Sequence, residues 1–338
     1  MIKKYDVIGD IHANAHELKM LLKKLGYTKN ELGIFTPCEL NRKAVFTGDF
    51  VDRGHENFEV IDIVKGMINA GYAHAVMGNH DLNAGLYHTR YNHDDHYPQY
   101  LRPHTQKNAK QHATFIDELN RNNDVGLSNI EWLKSLPLWL EMDGIRFVHA
   151  QWHEPSMSAL HLLGLLNHDN SIKADKWGEL IEGKPGYDAV SLITKGTEVD
   201  LNGATFLDAD GNRRGKTRLK WWGDMSRIST LEQVVLDVPR GVVDGQAIPP
   251  GTIDLIRSLQ NSDGKIIFFG HYWMKGPLPT IETRNAICID QSVAHDGYLA
   301  AATVSTNGDK IFNVDFTSVK SRPNFKPMSK NTHILVPA

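Results

Sequence analysis

The chain is short of several things that would fix its class at once. Its 338 residues include only two cysteines, Cys38 and Cys288, which rules out a disulfide framework or a thiolate metal site. Cys288, inside the apolar run AICID, is expected to be buried. No apolar run approaches the roughly 18 residues of a membrane span. The opening residues MIKKYDVIGD enter strand-like sequence without the apolar region of a signal peptide. A basic excess is missing too: 37 Lys and Arg stand against 40 Asp and Glu, a net charge of −3. That argues against a dedicated nucleic-acid binder, though not against a local basic pocket for a phosphate. A cytoplasmic protein with no nucleic-acid or membrane partner is therefore expected, and the oligomeric state is left open.

With 41% hydrophobic and 23% charged residues, a sizeable core is available, for one large α/β domain or two modest ones. The compositional oddity is 17 histidines. Short apolar runs alternate with amphipathic stretches. YDVIG (5–9), KAVFTG (43–48) and AHAVMG (73–78) read as strands. AHELKMLLKKLG (15–26) and NFEVIDIVKGMINAG (57–71) read as helices, the first capped by Asn14, helped by Glu17 and ended by Gly26. The alternation predicts a βαβαβ unit with a parallel sheet. After residue 81 the pattern breaks into a polar, aromatic, histidine-rich stretch at 82–106. Helices are predicted over AKQHATFIDELN and SNIEWLKSL, and a strand over IRFVHA (145–150). Residues 151–220 read as a mixed insertion. Strands return at 265–271, 286–292, 298–305 and 310–316, the last two as antiparallel neighbours.

Each of the first three strands ends in a glycine followed by polar groups: GDIHA (9–13), GDFVDRG (48–54) and GNHD (78–81). Taken singly, each is an ordinary turn. In a parallel α/β sheet, however, the carboxyl ends of the strands share one rim. Asp10, His12, Asp49, Asn79 and His80 should then meet there, with Asp10 and His12 pointing the same way along an extended segment. Converging carboxylates are costly unless a cation sits among them. Oxygen and imidazole donors without thiolate suit manganese, iron or zinc. One carboxylate can bridge two such ions about 4 Å apart, the arrangement used for in-line displacement at phosphorus.

GDIHA, GDFVDRG and GNHD together resemble the signature of the phosphoprotein phosphatase (PPP) branch of the binuclear metallophosphoesterases, of the bacterial serine/threonine or tyrosine type. The resemblance is dense over residues 9–81 and thins afterwards. Later pieces follow in the family's order: RFVHA with His149, KWWGD (220–224), VPRGV with Arg240 (Arg227 competing), IIFFGH with His271, and AICIDQSVAHDGYLAA. Three departures stand out. Ala13 replaces a glycine, a change that matters only if that backbone needs a positive φ. Gln151 replaces a glycine beside His149, and Asp81 stands for glutamate.

The resemblance implies a single α/β catalytic domain over residues 1–316, a β-sandwich of mixed sheets flanked by helices (αββα), with specificity insertions at 82–120 and 151–220 and a tail at 317–338. It implies two divalent ions, manganese first with iron or zinc as alternatives. Asp10, His12 and Asp49 would hold the first, and Asp49, Asn79, His149 and His271 the second. A metal-bridging hydroxide would attack phosphorus, His80 would protonate the leaving oxygen with Asp52 behind it, and Arg53 and Arg240 would grip the phosphate. The substrate implied is a phosphorylated protein side chain or a small phosphoester. A dinucleoside polyphosphate such as diadenosine tetraphosphate is the alternative, and a non-catalytic phosphate-binding protein the rival of another class. The histidines at 88, 93, 96 and 104 read as a solvated loop, His153 as a residue at the mouth of the site, and Trp221 and Trp222 as packing.

Overall fold

The structure, a computed structural model, describes residues 2–91, 99–201, 203–207, 213–224, 228–259, 263–283, 285–308 and 310–323. The first third runs β1 (Lys3–Ile8), α1 (Ala15–Lys24), a small hairpin β2 (Thr28–Lys29) and β3 (Phe35–Thr36), β4 (Arg42–Phe46), α2 (Asn57–Asn69) and β5 (Ala73–Ala75). Helices α3 (Asn79–His88), α4 (Gln106–Gln111), α5 (Ala113–Arg121) and α6 (Asn123–Lys134) follow, then β6 (Trp139–Met142) and β7 (Ile145–Val148). The next stretch holds α7 (Glu154–Leu162), α8 (Pro185–Lys195) and four short strands, β8 (Glu198–Asp200), β9 (Phe206–Leu207), β10 (Arg213–Arg214) and β11 (Lys216–Arg218). Helix α9 (Pro250–Leu259), β12 (Ile266–Phe269), β13 (Ala286–Cys288), β14 (Tyr298–Asn307) and β15 (Lys310–Lys320) complete the chain.

Two sheets make the frame. One is ordered β15-β14-β1-β4-β5, the other β13-β12-β7-β6. Strands β1, β4 and β5 are mutually parallel, and so are β7, β12 and β13. Strands β14, β15 and β6 add antiparallel edges. Alternation along each strand explains the layering. Tyr5, Val7, Val45, Phe147, Phe268, Ile287 and Ala302 form one buried cluster between the sheets. Their sequence neighbours Ile8, Phe46, Val148, Phe269 and Cys288 face outward into a second cluster shared with the helices. The result is the expected mixed α/β sandwich, sheets inside and helices outside.

Several local expectations are corrected. The last strand runs on to Lys320. Asn14 occupies the N-cap position of α1, but its side-chain amide donates back to the carbonyls of Ile11 (2.7 Å) and His12 (2.8 Å) and caps nothing. Helix α3 starts at Asn79, inside GNHD, and continues to His88, so the break expected after residue 81 comes later. The helix read over AKQHATFIDELN is two helices that break at His112 (φ −103°, ψ 9°).

Candidate metal centre and acid dyad

Because both sheets contribute parallel strands, two sets of strand carboxyl ends converge on one rim. Asp10 follows β1, Asp49 follows β4, Asn79 follows β5, His149 follows β7, His271 follows β12 and Asp290 follows β13. Two glycines make the close approach feasible: a Cβ at Gly78 would run into the Asp49 carboxylate, and one at Gly270 into that of Asp10. The GDIHA segment differs from the extended run expected of it. His12 and Ala13 lie at φ 47° and 55°, so the position where alanine replaces glycine does demand a left-handed backbone. Asp49, Asp52, Arg53 and His271 share that conformation, at φ 55°, 71°, 71° and 72°.

Asp49 is the hub. One carboxylate oxygen lies 3.4 Å from His12 Nε2 and the other 3.4 Å from His149 Nε2. Ligand-type atoms gather within 4.8 Å of one another in two groups that share it, Asp10–Asp49–His149 and His12–Asp49–His80. Asn79 Oδ1 joins them, 3.1 Å from His149 Nε2 and 2.8 Å from His271 Nδ1. The tautomers matter here. His149 Nδ1–H donates to the Thr47 carbonyl at 2.7 Å, so in the neutral ring Nε2 is a bare lone pair facing two oxygens. His12 Nδ1–H donates to the Val51 carbonyl (3.3 Å), leaving Nε2 buried with no hydrogen-bond partner. Acceptor atoms turned toward acceptor atoms in a buried pocket fit a cation among them.

The electrostatics agree. Burial, then the charges of Asp290 and Asp49, push the Asp10 carboxyl well above its ordinary value. Burial pushes Asp290 up as well. Burial holds His12 and His271 well below the usual imidazole range, so both rings stay neutral and able to coordinate. At Asp49, burial works against the charge, but the facing imidazoles, His149 and His80 foremost, and the His80 backbone amide (2.9 Å) outweigh it and hold the carboxyl low. Asp81, pushed up to about 8 by burial and by Asp49, accepts from the backbone amides of Asp49 (2.8 Å), Phe50 (3.0 Å) and Gly78 (2.9 Å). It ties the second and third clusters together.

His80 and Asp52 form a dyad. His80 Nδ1–H donates to Asp52 Oδ2 at 2.6 Å. Asp52 is buried, and against that burial the imidazoles of His112 and His80 hold its carboxyl well below the usual range. Arg53 is exposed, its guanidinium 4.3 Å over the Trp273 ring and its Nη1 3.0 Å from His295 Nε2. A second cation faces the same ring: Arg218 lies 5.2 Å from it and donates to the His271 carbonyl at 2.6 Å. Arg240 is exposed in the loop after Leu236, and Arg227 lies outside the described residues.

The structure also places the other residues that the sequence singled out. His153 Nδ1 accepts the Ser156 amide (3.3 Å) as the cap of α7. Gln151 is buried and takes the Thr197 amide at 2.8 Å, pinning the end of α8. Trp221 and Trp222 are buried against Phe269. The solvated-loop reading does not hold for His104, stacked between Tyr87 (3.8 Å) and Tyr100 (3.9 Å), nor for His88, packed against His112. His93 and His96 lie outside the described residues. Sequence reasoning missed Asp290, Arg218, Trp273 and His112. For Asp290 a signal existed, since CID repeats the strand-then-aspartate pattern of Asp10. The others sit in stretches without local pattern.

Residues 3–165 match the family model described as calcineurin-like phosphoesterase. Over 77 residues the chain is 44% identical to the bis(5'-nucleosyl)-tetraphosphatase PrpE of Anoxybacillus flavithermus and, at the same identity and length, to that of Bacillus subtilis. The matched stretch is 22% of this chain and spans about 30% of each relative's length. Among solved structures, a cold-active protein-tyrosine phosphatase from a Shewanella species is similar at TM-score 0.48 and 19% identity, over 93% of this chain and 81% of that one. A protein serine/threonine phosphatase from Saccharomyces cerevisiae is similar at TM-score 0.46 and 13% identity, over 95% and 82%. His271, Arg218 and Asp290 lie beyond the stretch that matches the family model. Over residues 3–165, just under half of its length, the chain is therefore similar to the calcineurin-like phosphoesterases.

Proposed function

We propose that this protein hydrolyses phosphoesters at a two-ion centre held by Asp10, His12, Asp49, Asn79, His149 and His271. The observation that supports it most directly is the Asp49 carboxylate, one oxygen 3.4 Å from His12 Nε2 and the other, which also accepts the His80 amide, 3.4 Å from His149 Nε2. Divalent ions bound there supply Lewis-acid stabilisation of charge on the phosphoryl group and a nucleophile at neutral pH. His80 protonates the leaving oxygen while Asp52 fixes the ring and favours its cation. Arg53 grips the phosphate. Arg218, whose guanidinium lies near the same Trp273 ring as Arg53, donates to the His271 carbonyl and pairs with Asp237, takes the second phosphate-binding role in preference to Arg240.

Two substrate classes fit this reading. The name of the curated relatives favours a dinucleoside tetraphosphate, and the Arg53–Trp273–Arg218 cluster at the rim offers cationic and aromatic surface to one. A phosphorylated serine, threonine or tyrosine is the second, carried by the PPP-like motifs. The test is phosphate release by metal-stripped protein refilled with manganese. Diadenosine tetraphosphate and a set of phosphoserine, phosphothreonine and phosphotyrosine peptides are compared side by side. Faster turnover of the dinucleotide assigns the first class, and faster turnover of the peptides the second. Silence on both with metal bound leaves a phosphate-binding protein.

A further inference from the structure

The Asp52 carboxylate has two oxygens, and His80 uses one. The other, Oδ1, accepts a hydrogen bond from His112 Nδ1–H, also at 2.6 Å. His112 is fully buried at the break between α4 and α5. Its ring is stacked on Phe115 (centroids 4.8 Å apart, planes 15°) and tilted against Tyr87 at 5.4 Å. Its far nitrogen, Nε2, lies 3.2 Å from His88 Nε2. Nδ1 must carry a proton to face a carboxylate, and the far nitrogen shares a hydrogen bond with His88. His88 is kept neutral by burial and by the neighbouring His112 and His104, which push it down to about 3. A line of four groups results: His88, His112, Asp52, His80.

The backbone of the same turn has its own support. The Asp52 amide donates to Asn57 Oδ1 (2.8 Å), and Asn57 in turn donates to Glu118 of α5 through its backbone and side-chain N–H groups, each at 2.8 Å. The turn is thus already anchored to α5 without His112. What His112 adds falls on the carboxylate plane itself. Holding both oxygens fixes the rotation of that plane, and with it the direction in which His80 presents its other nitrogen to the substrate.

We propose that His112 is a positioning residue for the general acid, acting through Asp52, with His88 holding the far edge of its ring. The inference rests on the phosphoesterase reading for its kinetic consequence, but not for its structural one. An acid is needed most when the leaving oxygen is basic. Phenolate leaves poorly without a proton, whereas p-nitrophenolate leaves unaided. In the His112→Phe variant, kcat on phenyl phosphate is expected to fall about tenfold or more while kcat on p-nitrophenyl phosphate changes little and KM hardly moves. His112→Asn, whose amide can reoccupy the position of Nδ1–H, is expected to restore most of the loss and covers the case in which the phenylalanine variant does not fold.

The second readout needs no turnover. In zinc-loaded protein with nitrogen-15 histidine, the His80 Nδ1–H proton on Asp52 should give a downfield signal that shifts or broadens in His112→Phe and returns in His112→Asn. Equal slowing of both substrates, or a His80 signal unmoved by His112→Phe, overturns the proposal. If the unsubstituted protein hydrolyses neither these two esters nor diadenosine tetraphosphate nor the phosphopeptides, the phosphoesterase reading fails, and the His80 signal still decides whether His112 positions the ring.

Discussion

At the scale of single residues, the site combines groups that would be unstable alone. Ala13, Asp49, Asp52, Arg53 and His271 sit at positive φ, a region that costs a side chain with a Cβ about 1 kcal/mol or more. Hydrogen bonds hold Asp49 there, since Asp81 gathers its amide together with those of Phe50 and Gly78. Removing that acceptor in Asp81→Ala leaves three buried N–H groups unsatisfied. It should destabilise the protein by about 3 kcal/mol, measured by urea unfolding, and weaken metal binding by about 10–100-fold. The proposed acid, His80, is a cleaner case. His80→Asn keeps the donor set but loses the proton. Turnover should fall by about 10²–10⁴ with metal content unchanged by elemental analysis; equal activity in the variant would remove His80 from the acid role.

At the scale of elements, Gly78 and Gly270 let strand ends deliver side chains to the rim, because the missing Cβ makes room for another chain segment. Gly78 begins the turn into α3 directly against Asp49, and Gly270 ends β12 against Asp10. Gly78→Ala should therefore both lower the melting temperature and bind manganese at least about tenfold more weakly, read by calorimetric titration, because the new methyl meets the Asp49 backbone as well as its carboxylate. A comparable alanine at Gly71, where a Cβ meets nothing, should leave metal binding untouched while its positive φ of 78° costs about 1 kcal/mol. Helices α4 and α5 show the converse, an element break with a purpose. Their junction puts His112 on Asp52, and an unbroken helix would carry that ring elsewhere.

At the scale of the whole molecule, the two sheets are held by an apolar layer that includes Phe147 and Phe268, stacked with centroids 6.1 Å apart and both fully buried. Phe147→Ala should cost about 3–5 kcal/mol, seen as a lower melting temperature without any change in the donor set. The metal-free protein should also show a distinctive pH response. The carboxyl of Asp81, pushed up to about 8, keeps its proton when folded and loses it when unfolded. Stability therefore falls as pH rises toward 8. His12 and His271, held low, act in the opposite sense, but only below about pH 6.5, where an unfolded histidine protonates. Between about pH 6.5 and 8 the carboxyls act alone, and the chelated protein should lose about 1–2 kcal/mol. Manganese should abolish that slope, since a cation favours the ionised acids; a flat profile in chelator would contradict the burial argument. Among the described residues no helix is long and apolar enough to cross a membrane.

Much of this was legible in the amino-acid order, because its signals are local. Strand–glycine–aspartate repeats, the amphipathic helices between them and the period of two in the apolar runs depend on neighbours in sequence. From them follow the parallel unit, the rim where its strands end, and the identities of Asp10, His12, Asp49, Asn79 and His80. Contacts between distant segments carry no such mark. Asp52 meets His112 across 60 positions, and Arg218 meets the His271 carbonyl across 53. The second sheet brings His149, His271 and Asp290 to the first sheet's rim only once the apolar layer closes. Sequence alone determined which side chains stand at the ends of the first strands, because the strand–glycine–polar pattern is local. Tertiary structure decided which groups support those side chains, because a buried charge is stabilised by whatever the packed core places beside it.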